Sequence, residues 1–439
     1  MARSRLSLAS MLLLGLLAPL AAANADAKKE GKADPPPAGS GDGLAYEPIE
    51  KTTIYADNAT ASDPKAPPVE GWWESKICWD PYCIYTNRRL ANGRGIALVT
   101  RLEEFQKFER LEDHLNRAEN KYFEDPAPFQ ETEVLDKGIG ITATKAIRRG
   151  KQLMSWSPVL VVHKEFFDDV VKKKERTRLL ETAVGFLPDA TREKFNKQRA
   201  RPGDPAGLNP RSIEEILISH PFEINLGFSY RQEENSQHYV NYPEISLLQH
   251  DCRPNVATYI DESFSIHATV ARRVQAGEEL TISYVDPLLS RKERSEWVKR
   301  HRGYGGKGCT CSACSPQGGD EEVAKADKRL KDILAMRGEL RNHDSTKVNF
   351  EMIDKLLKLV QEDRLHAKLA EFYELAALNY NYLGDDKKAK KYADMAVQAG
   401  IVEGGVRSND VVAMRVMASD IKGHYSYQYT LKRRGQVPK

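Results

Sequence analysis

The sequence predicts an α+β chain: a core of short β-strands carrying a helical insert, followed by an all-α segment. Three observations carry this expectation. Short apolar runs broken by glycine and proline fill 71–162 and 242–284. Between them, 163–241 is charged and helix-prone, interrupted by Pro188, Pro202, Pro205 and Pro210. From Asp320 onward, Leu330, Ile333 and Leu334, then Ile353, Leu356, Leu357 and Val360, recur at i, i+3, i+4. The 439 residues are 41% hydrophobic, enough for two or three domains with buried cores.

Residues 1–25 read as a secretory signal peptide. Arg3 and Arg5 precede an apolar run from Met11 to Leu20 and a small-residue cleavage site around Ala21–Ala25. A mitochondrial presequence is the alternative. The run is too short for a permanent membrane span, so no membrane association is expected after cleavage. Residues 26–70, rich in Pro, Gly, Ala, Lys and Asp, read as a disordered linker, with Asn58-Ala59-Thr60 as a glycosylation acceptor.

At Gly71 the composition turns globular, and 71–130 reads as an N-terminal flanking region. Asn92 to Gly95 is a turn into a strand at Ile96–Val99, and a charged helix is expected from Glu103 to Tyr122. Gly138-Ile139-Gly140, Gly150 and the run Val159–Val162 predict short strands. After Tyr284 comes a helix, Arg291–Arg300. In the last domain, 317–439, Tyr373, Ala377, Tyr380, Ala389 and Ala396 fall near tetratricopeptide spacing, with a turn at Gly384-Asp385. The net charge is +3 and no long basic block exists, which gives no support to a nucleic-acid partner. Lys172 to Lys174 reads as a solvated face.

The stretch Tyr242–Tyr284 organises the rest. It opens with Gln249-His250-Asp251-Cys252-Arg253-Pro254-Asn255 and closes with Gly277-Glu278-Glu279-Leu280-Thr281-Ile282-Ser283-Tyr284. Lys137-Gly138-Ile139-Gly140 lies upstream and Cys309-Thr310-Cys311-Ser312-Ala313-Cys314 downstream. Together these four motifs resemble the SET domain of protein-lysine methyltransferases, in that family's order. The resemblance implies a SET-type fold over 131–300, with a helical insert at 163–241 and a post-SET zinc segment at 301–316. A helical domain in this position is similar to that of the SET and MYND-domain methyltransferases. The MYND zinc finger itself is missing, because six cysteines are too few.

The resemblance also implies roles. Tyr284 is the catalytic-channel tyrosine, orienting a neutral lysine amine; an ordinary strand-end tyrosine is the plain alternative. Lys137, Gly138, Gly140, His220, Gln249, His250 and Tyr304 are the positions expected to hold S-adenosylmethionine. Gly138 and Gly140 would let the backbone approach its methionine part. His250 would meet the adenine edge, or else be a satisfied core histidine. Cys309, Cys311 and Cys314 supply three thiolates, and the family takes the fourth ligand of a structural Zn2+ from Cys252. Disulfides are the alternative for an even count of cysteines in a secreted chain, though Cys309 and Cys311 are too close to pair comfortably. Cys78 and Cys83 remain, and can pair in an oxidising compartment.

This chain departs from the family at three points. Gln249 stands for asparagine, His220 for the asparagine of a Leu217–Phe222 segment, and Tyr304 is the aromatic left where a phenylalanine covers adenine. The expected activity is S-adenosylmethionine-dependent methylation of a lysine-bearing protein or peptide in the secretory pathway or outside the cell. Two alternatives stand: a catalytically decayed SET fold that binds a partner, and an intracellular enzyme whose leader is misread.

Overall fold

The computed structural model describes residues 71–109, 112–116, 118–134, 137–199, 210–220, 222–226, 236–301, 308–315 and 319–436, and the statements below concern these. The expected leader, the linker with Asn58, and Tyr304 lie outside them.

The chain enters through β1 (Trp73–Trp79), β2 (Tyr82–Asn87) and β3 (Ile96–Thr100). Cys78 faces Cys83 across the β1–β2 hairpin, and the two are disulfide-bonded. Within the helix expected from Glu103 to Tyr122, the described residues are helical over α1 (Leu102–Glu109) and α2 (Glu112–Asn116). Lys121 and Tyr122 instead form β4, pairing with Ser155 and Met154. Local propensity yields there to a neighbouring strand edge. The hairpin β5 (Phe129–Val134) and β6 (Gly138–Ala143) follows, then β7 (Gln152–Trp156) and β8 (Leu160–His163).

The insert supplies α3 (Phe166–Asp169), α4 (Lys173–Gly185), α5 (Asp189–Lys197) and α6 (Ile213–Ser219). Ser212 and Glu215 close a capping box at the start of α6. The insert ends in sheet, with β9 (Phe222–Asn225) and β10 (Gln237–Asn241). The six-stranded sheet runs β1-β2-β3-β8-β10-β9, so the N-terminal flank is built into the core. Parallel pairing of β3 with β8 makes that join, Ala97 opposite Leu160 and Val99 opposite Val162.

The continuous apolar sequence of β3 and β8 has a physical reason: both faces of this sheet are covered. Ile96, Leu98 and Val161 face the cluster that also holds Tyr284. Ala97, Val99, Leu160 and Val162 face the insert helices.

β11 (Gln249–His250), β12 (Val256–Ile260), β13 (Ile266–Val270) and β14 (Thr281–Ile282) complete the strands. β12-β13-β7-β4 form a second sheet, and β11 pairs in parallel with β14 alone. After α7 (Arg291–His301) the chain is helical: α8 (Gly319–Arg341), α9 (Phe350–Glu362), α10 (Leu369–Tyr382), α11 (Asp386–Gly404), α12 (Asn409–Ser419) and α13 (Tyr429–Arg433). Gly384, at φ +82°, makes the turn between α10 and α11, and Asp385 caps α11. Tyr380 stacks on Tyr392 across that pair at 5.4 Å. This helical domain packs against the core through Val402 on Ala257 and Ala271. No helix among the described residues is long and apolar enough to cross a membrane.

Candidate active site and metal centre

The parallel pair β11–β14 sets the site. Gln249 lies opposite Thr281 and His250 opposite Ile282, so Tyr284, two residues on, folds back over His250. Asn255 secures the loop between them: its amide donates to Glu279 O at 2.7 Å, and its oxygen accepts from Thr281 N at 2.8 Å. Tyr284 is buried, and its hydroxyl donates to Leu248 O at 2.5 Å. Its ring stacks on His250 at 5.3 Å and meets the edge of His220 at 5.5 Å. His220, buried at the C-terminus of α6, has Nδ1 near Ser219 Oγ and Ile216 O. Thus Tyr284, His220 and His250, distant in sequence, share one buried corner, and Gln249 precedes His250 on β11.

The glycine edge is also crowded by this protein's own side chains. Gly138 sits at φ +83° and opens β6, a conformation that favours glycine. At Gly140 a Cβ would lie 2.8 Å from Val134 Cγ2 and 3.2 Å from Gln249 Cγ. The close approach is therefore made first by this protein's own side chains. Lys137 Nζ pairs with the Glu279 carboxylate at 2.9 Å. Gln249 Nε2 donates to Ile139 O at 2.7 Å, which ties β11 to β6, while its Oε1 is buried without a partner. An unpaired buried acceptor is costly unless something donates to it. An ammonium group, such as that of S-adenosylmethionine's methionine part, suits it, so Gln249 fits the cofactor.

Four buried sulfurs gather below His250. Cys252 Sγ lies 3.9 Å from Cys309 Sγ and 3.7 Å from Cys314 Sγ, and Cys252 N donates to Cys311 Sγ at 3.4 Å. Four thiolates placed tetrahedrally about zinc at about 2.3 Å would stand about 3.8 Å apart, so these spacings fit the ion. His250 Nε2 is 3.2 Å from Cys252 Sγ, and His250, Cys252, Cys309 and Cys311 present their ligand atoms within 4.8 Å of one another. A His/Cys cluster able to hold zinc is thus built here. Hydrogen bonds from Cys252, then Cys309, hold the Cys311 thiol low, and the same neighbours hold Cys314 low. Burial, then the charge of Cys311, pushes the Asp251 carboxyl up.

Residues 138–285 match the family described as SET domain. That stretch, about a third of the chain, is similar to a SET domain. Curated relatives include a histone-lysine N-methyltransferase SMYD3 of Mus musculus, 32% identical over 106 residues, which cover 23% of this chain and 24% of that one. An N-lysine methyltransferase SMYD2-B of Xenopus laevis is 28% identical over 228 residues, 50% of this chain and 46% of that one. A histone-lysine N-methyltransferase set5 of Schizosaccharomyces pombe is 35% identical over 90 residues, 20% and 27% of the two chains. The chain spans a quarter to a half of the length of these relatives.

Two parts of the SET site carried no local signal. Arg294, buried on α7, lies against the cluster: burial opposes its charge, but the sulfurs of Cys252 and Cys314 raise its pKa nonetheless. Arg253, beside Cys252, reaches into the helical domain, where its Nε donates to buried Asp363 at 3.0 Å; Arg329 donates to the same carboxylate at 3.2 Å. Only the fold brings these partners together.

Proposed function

We propose that this chain is an S-adenosylmethionine-dependent protein-lysine N-methyltransferase acting on a lysine-bearing protein or peptide. A structural Zn2+ is held by Cys252, Cys309, Cys311 and Cys314. The observation that carries the reading is Tyr284, seated in a buried aromatic corner with His220 and His250, within the matched SET domain. The methyltransferase names of its relatives support it.

S-adenosylmethionine, when bound, supplies a sulfonium methyl open to in-line displacement by a neutral amine. Gln249 would hold it through Oε1, with Gly138 and His250 lining the same edge. Tyr284 commits its own proton to Leu248 O, so towards an amine its oxygen acts as acceptor. It thereby orients the lysine nitrogen. The buried, aromatic surroundings also favour the uncharged amine, whose ordinary pKa is near 10.4.

Calorimetric titration of the purified protein with S-adenosylmethionine tests the cofactor. Micromolar binding supports the reading. No binding favours a decayed SET fold that serves as an interaction module. The same reading has the chain enter the secretory pathway, supported by the Cys78–Cys83 disulfide, a bond that oxidising compartments favour. Protein recovered from its native host should begin near Asn24 or Asp26 by intact mass, and an intact Met1 start contradicts this.

A further inference from the structure

His250 makes one contact towards the sulfurs and another towards Tyr284. Tyr284 N donates to Nδ1 at 3.1 Å. Nε2 faces Cys252 Sγ at 3.2 Å. The ring is 4% exposed and stacked on the Tyr284 ring at 26°.

A backbone N–H can only donate, so Nδ1 must present its lone pair. In a neutral imidazole the single proton then sits on Nε2, pointed at the sulfur. Were Nε2 a metal ligand instead, the proton would move to Nδ1 and meet the Tyr284 N–H head-on, donor against donor. With that tautomer the geometry points to Cys314 rather than His250 for the fourth place, its sulfur 3.7 Å from that of Cys252. It also gives His250 another task.

We infer that His250 is a positioning residue that ties the Tyr284 backbone to the metal-bound Cys252 thiolate, so that metal occupancy sets the place of Tyr284. A metal held by Cys252 would fix where its sulfur lies, and the Nε2 contact at 3.2 Å fixes the ring against that sulfur. The ring passes that constraint through Nδ1 to the peptide carrying Tyr284, and stacking fixes the ring planes. This device rests on the reading of Tyr284 as the channel tyrosine, but its test does not require methyl transfer.

Nitrogen NMR of histidine-labelled, cadmium-loaded protein reads the tautomer directly. Expected is one ring protonated at Nε2 and bare at Nδ1, with its Nε2 proton coupled to cadmium through the hydrogen bond. That coupling identifies the ring without any variant. The cadmium resonance itself should fall in the four-thiolate range. A ring protonated at Nδ1, or a cadmium shift of the three-thiolate, one-imidazole kind, overturns the inference.

In tyrosine-labelled protein the Tyr284 amide signal, assigned by its loss in Tyr284→Phe, should move when metal is removed. It should stay still in His250→Gln, whose metal affinity should fall about 10- to 100-fold. If metal removal shifts that signal equally in His250→Gln, the link does not run through the ring. Failure of methyl transfer with these spectra intact would count against the enzyme, and not against the link.

Discussion

The helical domain and the SET core treat their buried polar groups differently. In the helical domain, Asn379 donates to Leu340 O and Leu375 O, and Asn381 to Ile421 O and Ser426 Oγ. Tyr380 donates to Asp354, and Asp363 gathers two arginines. Among the described residues only Asn381 Oδ1 is left there without a partner. In the core, buried atoms without a partner are more numerous: Ser155 Oγ, Trp156 Nε1 and Ser157 Oγ lie on and after β7, Gln249 Oε1 lies on β11, and four free cysteines are buried. Of these core atoms only Gln249 Oε1 is a pure acceptor, and it adjoins His250 on β11.

The largest expected effect breaks the core's side of this contrast. Cys252→Ser should lower bound zinc from about one per chain towards none, because the site needs all four ligands. The melting temperature should fall with it, since binding free energy at such sites is folding free energy. Metal analysis and thermal unfolding check both. Full zinc retention would mean that the fourth ligand lies elsewhere.

The next prediction tests whether the two regions are separate at all. Asp363→Asn strands Arg253 and Arg329, the first of them buried beside Cys252, a proposed zinc ligand. Breaking a buried pair from one side costs about 3–5 kcal/mol, readable by denaturant unfolding. A loss of metal affinity in the same variant would show the helical domain bracing the zinc loop. An effect under about 1 kcal/mol would mean that the contact is incidental.

These two cases also mark what the sequence makes legible. Cys309, Cys311 and Cys314 stand at a local spacing whose chemistry can be read directly, and Cys252 joins them through family order. The helical domain is legible because its apolar period repeats within each helix. Asp363 is not, because nothing near it announces an arginine from another domain. Strand order is equally hidden: β3 pairs with β8 only once the whole sheet forms. Gly140 is half legible. Its need for space can be foreseen, but Val134 and Gln249, which fill that space, cannot.

Gly140→Ala sharpens this last point. The added Cβ pushes against Val134 and Gln249, and such overpacking costs about 1–3 kcal/mol. If Gln249 is the group displaced, S-adenosylmethionine affinity falls along with stability. Lost stability with intact affinity would assign the glycine to packing alone.

The smallest effect belongs to the self-satisfied domain. Burial raises the Glu403 carboxyl to about 7, despite the hydrogen bond it accepts from Ala370 N. The fold thus prefers the protonated form. Its stabilising contribution is complete below the ordinary carboxylate pKa of about 4.3 and is lost as pH rises through about 7. Glu403→Gln should flatten that slope and stabilise the protein at pH ~8 by about 1–2 kcal/mol. An unchanged slope would mean that Glu403 is not its source.

The most direct test of the whole account is labelled methyl transfer from S-adenosylmethionine onto a lysine-rich protein mixture, run with the natural protein and with Tyr284→Phe. The account predicts transfer to lysine by the natural sequence, and its loss or a changed number of methyls in the variant. No transfer by the natural sequence, with activity appearing only when Gln249→Asn and His220→Asn are combined, would contradict it.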